Sequence, residues 1–354
     1  MQGGKMLDGK ILTMAFESSC DETSAAFVLE GREVLSNIIS SQIDIHKEFG
    51  GVVPEIASRH HLSNINWVTE KARKAASEKY GRTIAWDDVD IVGVTKGPGL
   101  VGALLIGIAT AKAFAAVLGR PLVGVHHIHG HISANYIEHK DLKPPFTALV
   151  VSGGHTSLVR ADDYDSFTVI GETRDDAAGE AYDKVARVLG LGYPGGPLID
   201  ETAKKGDPGA VEFKRVFLEK GSYDFSFSGI KTGVLNYVNS EKQAGRWDYS
   251  QISDVAAGFQ QAVLDVIVTK AIAAVKENSG TMGRKLVVAG GVAANSRLRE
   301  MLTSECEKED IRLYIPSPVL CTDNAAMIGC AAYYRYKAGK TDGLSMDAYA
   351  SIPI

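Results

Sequence analysis

The sequence ILTMAFESSCDETSAAFVLE, residues 11–30, decides how the N-terminal half of this chain is interpreted. Two largely apolar runs, 11–16 and 25–30, flank the polar loop 17–23. Apolar runs of this length joined by turn-forming residues are typical of paired β-strands. The stretch therefore predicts a β-hairpin that carries hydroxyl and carboxylate side chains at its tip.

The elements that follow this hairpin occur in one order, and the second half of the chain repeats that order. In the first half we predict a third strand at 33–38, a helix from Pro54, a strand at 89–95, a helix at 101–118, a strand at 121–125 and a helix from His127. In the second half we predict strands at 146–151, 156–160, 167–171, 285–289 and 311–315, and helices at 178–189, 254–277, 296–304 and 323–337. Two β-β-β-α-β-α-β-α lobes predict an α/β protein with the actin-like ATPase (ASKHA) fold and a ligand cleft between the lobes.

The repeat also predicts the domain boundaries. We expect a disordered extension at 1–10, an N-terminal lobe at 11–145 and a C-terminal lobe at 146–322. The closing helix, 323–345, is able to pack on the N-terminal lobe. The stretch 191–253 has no counterpart in the first half, so we interpret it as a helical insertion in the C-terminal lobe.

The composition limits the classes of protein that this chain can represent. The formal net charge is −5, so a nucleic-acid partner must be held by a local patch or with help from another protein. The four cysteines show no metal-binding or disulfide spacing, and the first residues lack the apolar core of a signal peptide. The apolar run 100–118 lies between two predicted strands, which favours a buried crossover helix over a membrane span. We therefore expect a cytoplasmic protein with no membrane partner.

Three loops at predicted strand ends have the composition of phosphate-binding loops: ESSCDET (17–23), SGGHTS (152–157) and GGVAAN (290–295). Glycines let backbone N–H groups approach phosphate oxygens, although a Gly-Gly pair is often only a chain reversal. Three such loops at related places of a duplicated fold favour a nucleotide site. Asp21 in the first loop is a candidate catalytic residue that orders water or Mg²⁺ near a phosphate, or else an ordinary turn residue.

The densest group of metal-binding side chains is HHIHGH, residues 126–131. On a helix, His127 and His131 lie one turn apart on the same face, which lets both imidazoles bind one ion. The alternative is a cluster of surface and capping histidines. A carboxylate is the natural third ligand, and Asp323 at the start of the closing helix is the candidate, although aspartate there also compensates helix N-terminal charge. Two histidines and one carboxylate leave positions open for a substrate.

A set of motifs along the whole chain resembles one known family. The motifs are ESSCDET (17–23), HKEFGGVVPEIASRHH (46–61), KGPGLVGALLIG (96–107), HHIHGH (126–131), SGGHTSLV (152–159), DDAAGEAYDKVARVLGLGYPGGP (175–197), FSFSGIKT (225–232), AGGVAANSRLR (289–299) and CTDNAAMIG (321–329). They resemble the bacterial tRNA threonylcarbamoyladenosine biosynthesis transferases, TsaD (formerly Gcp or YgjD), a family earlier described as O-sialoglycoprotein endopeptidases. The resemblance implies an actin-like fold. It also implies transfer of threonylcarbamoyl from threonylcarbamoyl-adenylate to N6 of the adenosine 3′ of the anticodon, in tRNAs that read ANN codons, with release of AMP.

The resemblance also implies roles for individual residues. His127, His131 and Asp323 match the family's ligands for one divalent metal ion per subunit, Fe²⁺ or Zn²⁺, and Mg²⁺ is a further expectation if a nucleotide binds. The residues that match positions binding the adenylate are Val150, Val151, Ser152, Gly153, Gly154, Asp183, Gly196, Asp200 and Asn295. From the sequence alone, Asp183 is equally a solvated helix carboxylate and Gly196 part of an ordinary tight turn.

One departure from the family weakens the older protease interpretation. Many relatives read His-Met-Glu-Gly-His where this chain has His127-Ile128-His129-Gly130-His131. A zinc protease of the HExxH type needs that glutamate as general base. A small-molecule kinase of the same fold would have no need for the histidines, and a non-catalytic scaffold would lack the metal ligands. The resemblance implies as partners a TsaB-like paralogue, a TsaE-like ATPase, a TsaC-type adenylate synthase and tRNA.

Overall fold

The structure is a computed structural model that describes residues 7–354. The chain forms two compact units. Unit 1 contains the chain up to Pro144, the short segment Asp163–Phe167 and the C-terminal part Val319–Ile354, whereas unit 2 contains Pro145–Asp162 and Thr168–Pro318. The first boundary lies one residue before the predicted 145/146, and the second lies four residues before the predicted 322/323, so residues 319–322 belong to unit 1. The segment Asp163–Phe167 lies inside the predicted C-terminal lobe but belongs to unit 1.

Unit 1 is built on a five-stranded mixed sheet. Its strands are β1 (Leu12–Glu17), β2 (Glu22–Leu29), β3 (Glu33–Ser41), β4 (Ile91–Gly97) and β5 (Leu122–His126), in the order β3-β2-β1-β4-β5. Its first four helices are α1 (Ile43–Lys47), α2 (Pro54–Tyr80), α3 (Val101–Leu118) and α4 (His127–Glu138). Strand β1 pairs antiparallel with β2 and parallel with β4, which pairs parallel with β5. The carboxyl ends of β1, β4 and β5 therefore lie at one edge of the sheet, where α/β proteins usually bind ligands.

The sequence explains why these elements form. All six residues of β1 are buried, as expected for a central strand covered on both faces. Helix α2 begins with Pro54, which a first turn tolerates, and ends at Gly81 with a left-handed φ of 83°. Helix α3 is the crossover between β4 and β5, in the place predicted for the apolar run.

Unit 2 repeats the same sheet. Its strands are β6 (Phe146–Val151), β7 (Thr156–Asp163), β8 (Ser166–Glu172), β9 (Lys285–Ala289) and β10 (Arg312–Tyr314), in the order β10-β9-β6-β7-β8. Its helices are α5 (Ala178–Val188), α6 (Gly195–Ala203), α7 (Ser228–Gln243), α8 (Ile252–Met282) and α9 (Ser296–Lys308). The short helix α10 (Pro318–Cys321) begins at the last residue of unit 2 and otherwise belongs to unit 1. The order third-second-first-fourth-fifth strand is the same in both sheets, so the predicted α/β duplication of the actin-like fold is confirmed. Helices α6 and α7 lie within the stretch that we interpreted as an insertion.

The last helix, α11 (Ala325–Lys337), packs on the sheet of unit 1 and not on that of unit 2. It contacts β1, β4 and α4. Its approach to β4 is so close that a Cβ atom on Gly93 would lie 2.7 Å from the Cβ of Ala332. This packing brings the residues that precede α11 to the edge of the sheet where α4 begins.

The N-terminal prediction needs a correction for the part that the structure describes. Leu7 is fully buried in the core of unit 1, and the N–H of Lys10 donates to its carbonyl at 3.0 Å. Residues 7–10 therefore form an ordered turn held by the buried side chain of Leu7, while residues 8–10 are exposed. The remainder of the predicted extension, residues 1–6, lies outside the described residues.

Two helical stretches in the described part of the chain are long and apolar enough to cross a membrane by length and composition alone: Val101–Leu118 and Tyr249–Met282. The second is 83% buried inside the structure, as expected of a core helix. The first connects two parallel strands of the same sheet. It is only 33% buried, so the expectation of a buried crossover helix is correct for the crossover and wrong for the extent of burial.

Candidate functional site

Unit 1 brings together the three side chains that the sequence predicts as metal ligands. His127 and His131 lie one turn apart on α4, with their Nε2 atoms 3.2 Å from each other. The Oδ1 atom of Asp323 lies 3.4 Å from Nε2 of His127 and 3.1 Å from Nε2 of His131. The three atoms form a nearly equilateral triangle, although the chain separates the aspartate from the histidines by about half its length.

Helix caps at both elements fix this arrangement. His126 begins α4 by accepting the N–H of Ile128 on Nδ1 at 3.1 Å, so the helix starts immediately at the end of β5. Asn324 begins α11 by accepting the N–H of Met327 on its side chain at 3.0 Å. Such caps satisfy N–H groups that the first helical turn leaves unpaired. They hold the residues next to the two caps, His127 and Asp323, in defined positions.

The size of the triangle fits a metal ion. Ligand atoms about 2.1 Å from an ion lie about 3.0 Å apart at the adjacent corners of an octahedron and about 3.4 Å apart in a tetrahedron. The three observed separations span 3.1 to 3.4 Å. Two imidazoles and one carboxylate suit both Zn²⁺ and Fe²⁺ and leave further positions open. The donor set therefore fits one divalent ion, and its geometry does not favour one of these metals.

The charged groups in and around the triad shift one another's pKa values. Burial disfavours charge on His127, but the carboxylates of Asp323 and Glu17 outweigh it and raise its pKa well above the usual range. Burial likewise opposes ionisation of Asp323, yet the charges of and hydrogen bonds from the two histidines lower its pKa. A cation at this place is thus favoured by its surroundings, whether it is a proton or a metal ion.

Glu17 was not among the predicted site residues, and the structure gives it a direct contact with the triad. Its Oε2 atom lies 3.1 Å from Nδ1 of His127 and accepts the Thr95 hydroxyl at 2.6 Å. The side chain is fully buried at the end of β1. An acidic residue at the end of an otherwise apolar central strand is the signal that could have identified it.

The loop that follows β1 supports the same centre. The hydroxyl of Ser19 lies 3.2 Å from Nδ1 of His127, and the hydroxyl of Ser18 donates to the carbonyl of Ala103. Asp21 is 7% exposed, and its backbone carbonyl accepts the N–H of Gln42. The loop thus links the end of β1 to α3, α4 and the residue before α1.

The carboxyl group of Glu22, next to Asp21, has an unfavourable environment for a charge. Burial raises its pKa well above the usual range, and the charges of Asp21 and Asp323 raise it further. The Ser41 hydroxyl donates to its Oε1 at 3.0 Å, which offsets part of that effect. Asp21 and Glu22 therefore form a carboxyl pair in which the nearby charge of Asp323 disfavours the ionised form of Glu22.

His129, which replaces the glutamate of many relatives, does not belong to the triad. Its ring stacks on His126 at a centroid distance of 4.7 Å and lies 4.4 Å from the ring of Phe167. Both of its ring nitrogens are buried with no hydrogen-bond partner among the described residues. The residue at this position thus packs on the opposite side of α4 from the two ligands.

The residues predicted to bind the adenylate all lie in unit 2. Val150 and Val151 are buried at the end of β6, and Ser152 begins the turn. Gly153 and Gly154 are exposed, and a Cβ atom on either would meet nothing within 4 Å. The loop therefore presents free backbone to solvent, as a phosphate-binding loop must.

Two further predicted residues meet at the start of α6. Asp183 on α5 accepts the N–H of Gly195 at 2.7 Å, while a Cβ atom on Gly195 would lie 2.6 Å from the Cα of Asp183. Next to it, Gly196 has open space around its Cα. The Pro-Gly-Gly-Pro turn is thus held by the aspartate, and its second glycine remains accessible.

Asp200 lines a cavity in unit 2, and Asn295 precedes Ser296, another of its lining residues. The carboxylate of Asp200 accepts both the N–H and the hydroxyl of Ser296 at about 3 Å, and Asn295 caps α9 while donating to Gln260 at 2.8 Å. The cavity measures about 550 Å³, a size typical of sites for small molecules. Its lining residues are Asp200, Ala203, Lys204, Pro208, Ala257, Gln260, Gln261, Ser296, Arg297 and Glu300.

Fold and site together define a protein of the actin-like α/β class with a His-His-Asp triad that could hold a metal ion in one unit and a nucleotide-sized cavity in the other. Solved structures support the fold. The chain matches HypF from T. kodakarensis with a TM-score of 0.62 at 13% identity, covering 93% of this chain and 48% of that one. It matches full-length HypF in a phosphate- and nucleotide-bound form with a TM-score of 0.58 at 15% identity, covering 95% and 47%. At these identities the likeness shows the fold alone.

Sequence comparisons identify the family. The profile of TsaD, the tRNA N6-adenosine threonylcarbamoyltransferases, matches residues 33–330. A protein of that name from Clostridioides difficile (strain 630) is 54% identical over 344 residues, which cover 97% of this chain and 98% of the relative. One from Clostridium beijerinckii is 55% identical over 348 residues, covering 98% and 99%. The chain therefore belongs to this family of transferases, as its motifs predicted.

Proposed function

We propose that this chain transfers the threonylcarbamoyl group of threonylcarbamoyl-adenylate to N6 of the adenosine 3′ of the anticodon in tRNAs that read ANN codons, releasing AMP. The observation that carries the proposal is the full-length similarity to relatives of this name at 54–55% identity. The His-His-Asp triangle supports it, because neither a kinase of the same fold nor a scaffold subunit needs such a centre. A protease is not favoured, since residues 127–131 lack the glutamate of HExxH.

His127, His131 and Asp323 would hold one divalent ion, Fe²⁺ or Zn²⁺, in each subunit. When bound, the ion supplies a Lewis acid that polarises the carbamoyl carbonyl of the substrate. The three side chains occupy only part of the coordination sphere of such an ion, so an oxygen of the substrate can complete it. The two histidines are buried, whereas Asp323 is partly exposed.

The residues of unit 2 would bind the adenylate part of the substrate. The free backbone N–H groups of Gly153 and Gly154 suit a phosphate oxygen, and the cavity of about 550 Å³ suits a nucleoside. The Asp200 carboxylate can accept ribose hydroxyls in addition to its bonds with Ser296. Asp21 would order water, or Mg²⁺ if a nucleotide binds, near the phosphate. Since the adenine amine is a weak nucleophile, an activated donor and fixed positions supply most of the acceleration.

Reconstitution tests this proposal. Purified chain and partners are given synthetic threonylcarbamoyl-adenylate and unmodified tRNA, and the modified nucleoside is measured by mass spectrometry. We expect His127→Ala and Asp323→Ala to lower the rate at least about 100-fold, as loss of an electrostatic stabiliser does. The matched control is His60→Ala, which removes a histidine from α2 in the same unit and leaves the triad intact. Wild-type rates for both triad variants would refute the metal assignment.

We also propose that the chain works in the cytoplasm with a TsaB-like paralogue, a TsaE-like ATPase and a TsaC-type adenylate synthase. An apolar ridge on α3 supports a helical partner. Val101, Leu105, Ala109, Ala113 and Val117 follow one another at four-residue spacing, and all five are exposed. Ridges of this spacing interdigitate with those of another helix in the commonest class of helix packing.

Co-expression with the paralogue and size-exclusion chromatography test the partner assignment. Leu105→Glu places a charge within the ridge and should abolish the complex. Leu235, on α7 of unit 2, is a matched control because it is similarly exposed, at 42% against 44% for Leu105. A complex that survives Leu105→Glu but not Leu235→Glu would place the interface elsewhere.

A further inference from the structure

Glu17 is a fully buried carboxylate for which the proposed reaction has no direct use. It lies at the carboxyl end of β1, and three donors surround it. The Thr95 hydroxyl donates to Oε2 at 2.6 Å, the N–H of Ser19 donates to Oε1, and Nδ1 of His127 lies 3.1 Å from Oε2. Among the described residues no lysine or arginine forms an ion pair with it. A buried carboxylate without a cationic side chain is costly, so its retention at this place calls for an explanation.

The hydrogen bonds decide which nitrogen of His127 faces the triad. The backbone N–H of Ser19 donates to Oε1 and the Thr95 hydroxyl donates to Oε2, so both oxygens of Glu17 act as hydrogen-bond acceptors, as those of an ionised carboxylate do. An ionised carboxylate can only accept, so Nδ1 of His127 must carry the proton that is shared between them. The lone pair of the neutral ring is then on Nε2, the atom that lies near Asp323 and His131.

We propose that Glu17 is the positioning residue of the metal centre: it fixes His127 in the tautomer that binds a divalent ion through Nε2 and supplies the second negative charge that balances that ion. Two neutral imidazoles and Asp323 carry one negative charge between them. With Glu17 the group carries two, which a divalent cation neutralises. Carboxylates that accept the second N–H of a metal-binding histidine orient the ring and raise its basicity.

Only one of the two histidines in the described triad has a carboxylate hydrogen-bonded to its Nδ1 atom. Nδ1 of His131 is buried and has no hydrogen-bond partner among the described residues. His131 lies inside α4 and is 1% exposed, whereas His127 is the first residue of that helix and is 8% exposed. The histidine at the start of the helix, His127, is thus the one whose Nδ1 atom contacts a carboxylate.

The inference rests on the proposed metal site, and one measurement separates the two. Zn²⁺ is titrated into metal-free full-length protein in competition with a chromophoric chelator. We expect Glu17→Gln to weaken Zn²⁺ binding about 10- to 100-fold, the usual effect of losing such a partner. Circular dichroism and urea unfolding of the metal-free protein report whether the variant folds. If wild-type protein binds no Zn²⁺, the metal site itself is wrong; if wild type and Glu17→Gln bind equally, only the role of Glu17 is wrong.

A second buried carboxylate in unit 1 provides the control for a merely structural effect. Asp88 is 7% exposed. Its carboxylate accepts hydrogen bonds from the N–H of Ala85 at 2.9 Å and from the guanidinium of Arg82 at 3.2 Å. Asp88→Asn should lower the stability of the metal-free protein without changing Zn²⁺ affinity. Equal losses of affinity in Glu17→Gln and Asp88→Asn would overturn the proposal.

A milder change keeps the test decisive if Glu17→Gln does not fold. Thr95→Val removes one hydrogen bond to Glu17 and keeps the shape of the side chain, so the carboxylate is less firmly held. We expect Zn²⁺ affinity to fall about fivefold, the effect of one hydrogen bond. Unchanged affinity in a folded Thr95→Val protein would overturn the proposal independently.

Discussion

At the residue scale, the carboxyl pair Asp21–Glu22 shows that the site is built at a cost in stability. Burial and the charges of Asp21 and Asp323 raise the pKa of Glu22 well above its usual value, so the fold disfavours the ionised form. Each unit by which the pKa is raised corresponds to about 1.4 kcal/mol. Groups that destabilise a fold in this way often belong to functional sites.

Replacing this carboxyl by an amide should therefore stabilise the protein. Glu22→Gln removes the charge, can still accept from the Ser41 hydroxyl, and can donate to Asp21. Because the folded pKa lies above the unfolded one, the stability of the wild type falls as the pH rises from about 4.5 through the folded pKa. We expect the free energy of unfolding of Glu22→Gln to exceed that of the wild type at pH 8, and the two to converge near pH 4. Urea unfolding at both pH values measures this difference, and a less stable variant at pH 8 would contradict it.

At the scale of elements, the position of the closing helix determines whether the metal ligands meet. Gly93 in β4 has no room for a side chain, because a Cβ atom there would lie 2.7 Å from the Cβ of Ala332 in α11. Neither atom can move away by a change of rotamer, so the helix itself would have to shift. The residue before its cap, Asp323, would shift with it.

A pair of glycine-to-alanine variants tests this packing. We expect Gly93→Ala to lower the free energy of unfolding by about 1–3 kcal/mol, as overpacking of a core does, and to weaken Zn²⁺ binding. Gly280 in α8 is exposed and has nothing within 4 Å of its Cβ position. Gly280→Ala should therefore raise stability by up to about 1 kcal/mol through helix propensity and leave Zn²⁺ affinity unchanged. Chemical unfolding and zinc titration measure both, and a neutral Gly93→Ala would show that the helix can move freely.

At the scale of the whole molecule, the hydrophobic periodicity of the sequence predicted the strands and helices well. Contacts between segments far apart in the chain were harder to predict from the sequence. The positions of strands and helices could be predicted because each depends on a local sequence pattern. Examples are the apolar run that forms the buried strand β1 and the proline that begins the helix at Pro54. Sequence alone left open which sheet the closing helix joins, because both lobes offer it a similar face. The role of Glu17 depends on His127, 110 positions away, and no local pattern marks such a pair. Likewise, the burial of Leu7 depends on a core that forms elsewhere in the chain.

The distribution of the ligands leads to a prediction about the whole molecule. All three ligands belong to unit 1, two on α4 and one next to α11, so a bound ion links two elements of that unit. Zinc at 100 times its dissociation constant should stabilise the folded protein by about 2.7 kcal/mol. In native-state hydrogen exchange we expect added zinc to slow exchange most in α4 and in residues 319–327, and least in α9 of unit 2. His131→Ala should remove the effect while the metal-free exchange pattern elsewhere is kept. Equal slowing in both units of the wild type would mean that the ion stabilises the chain through some other site.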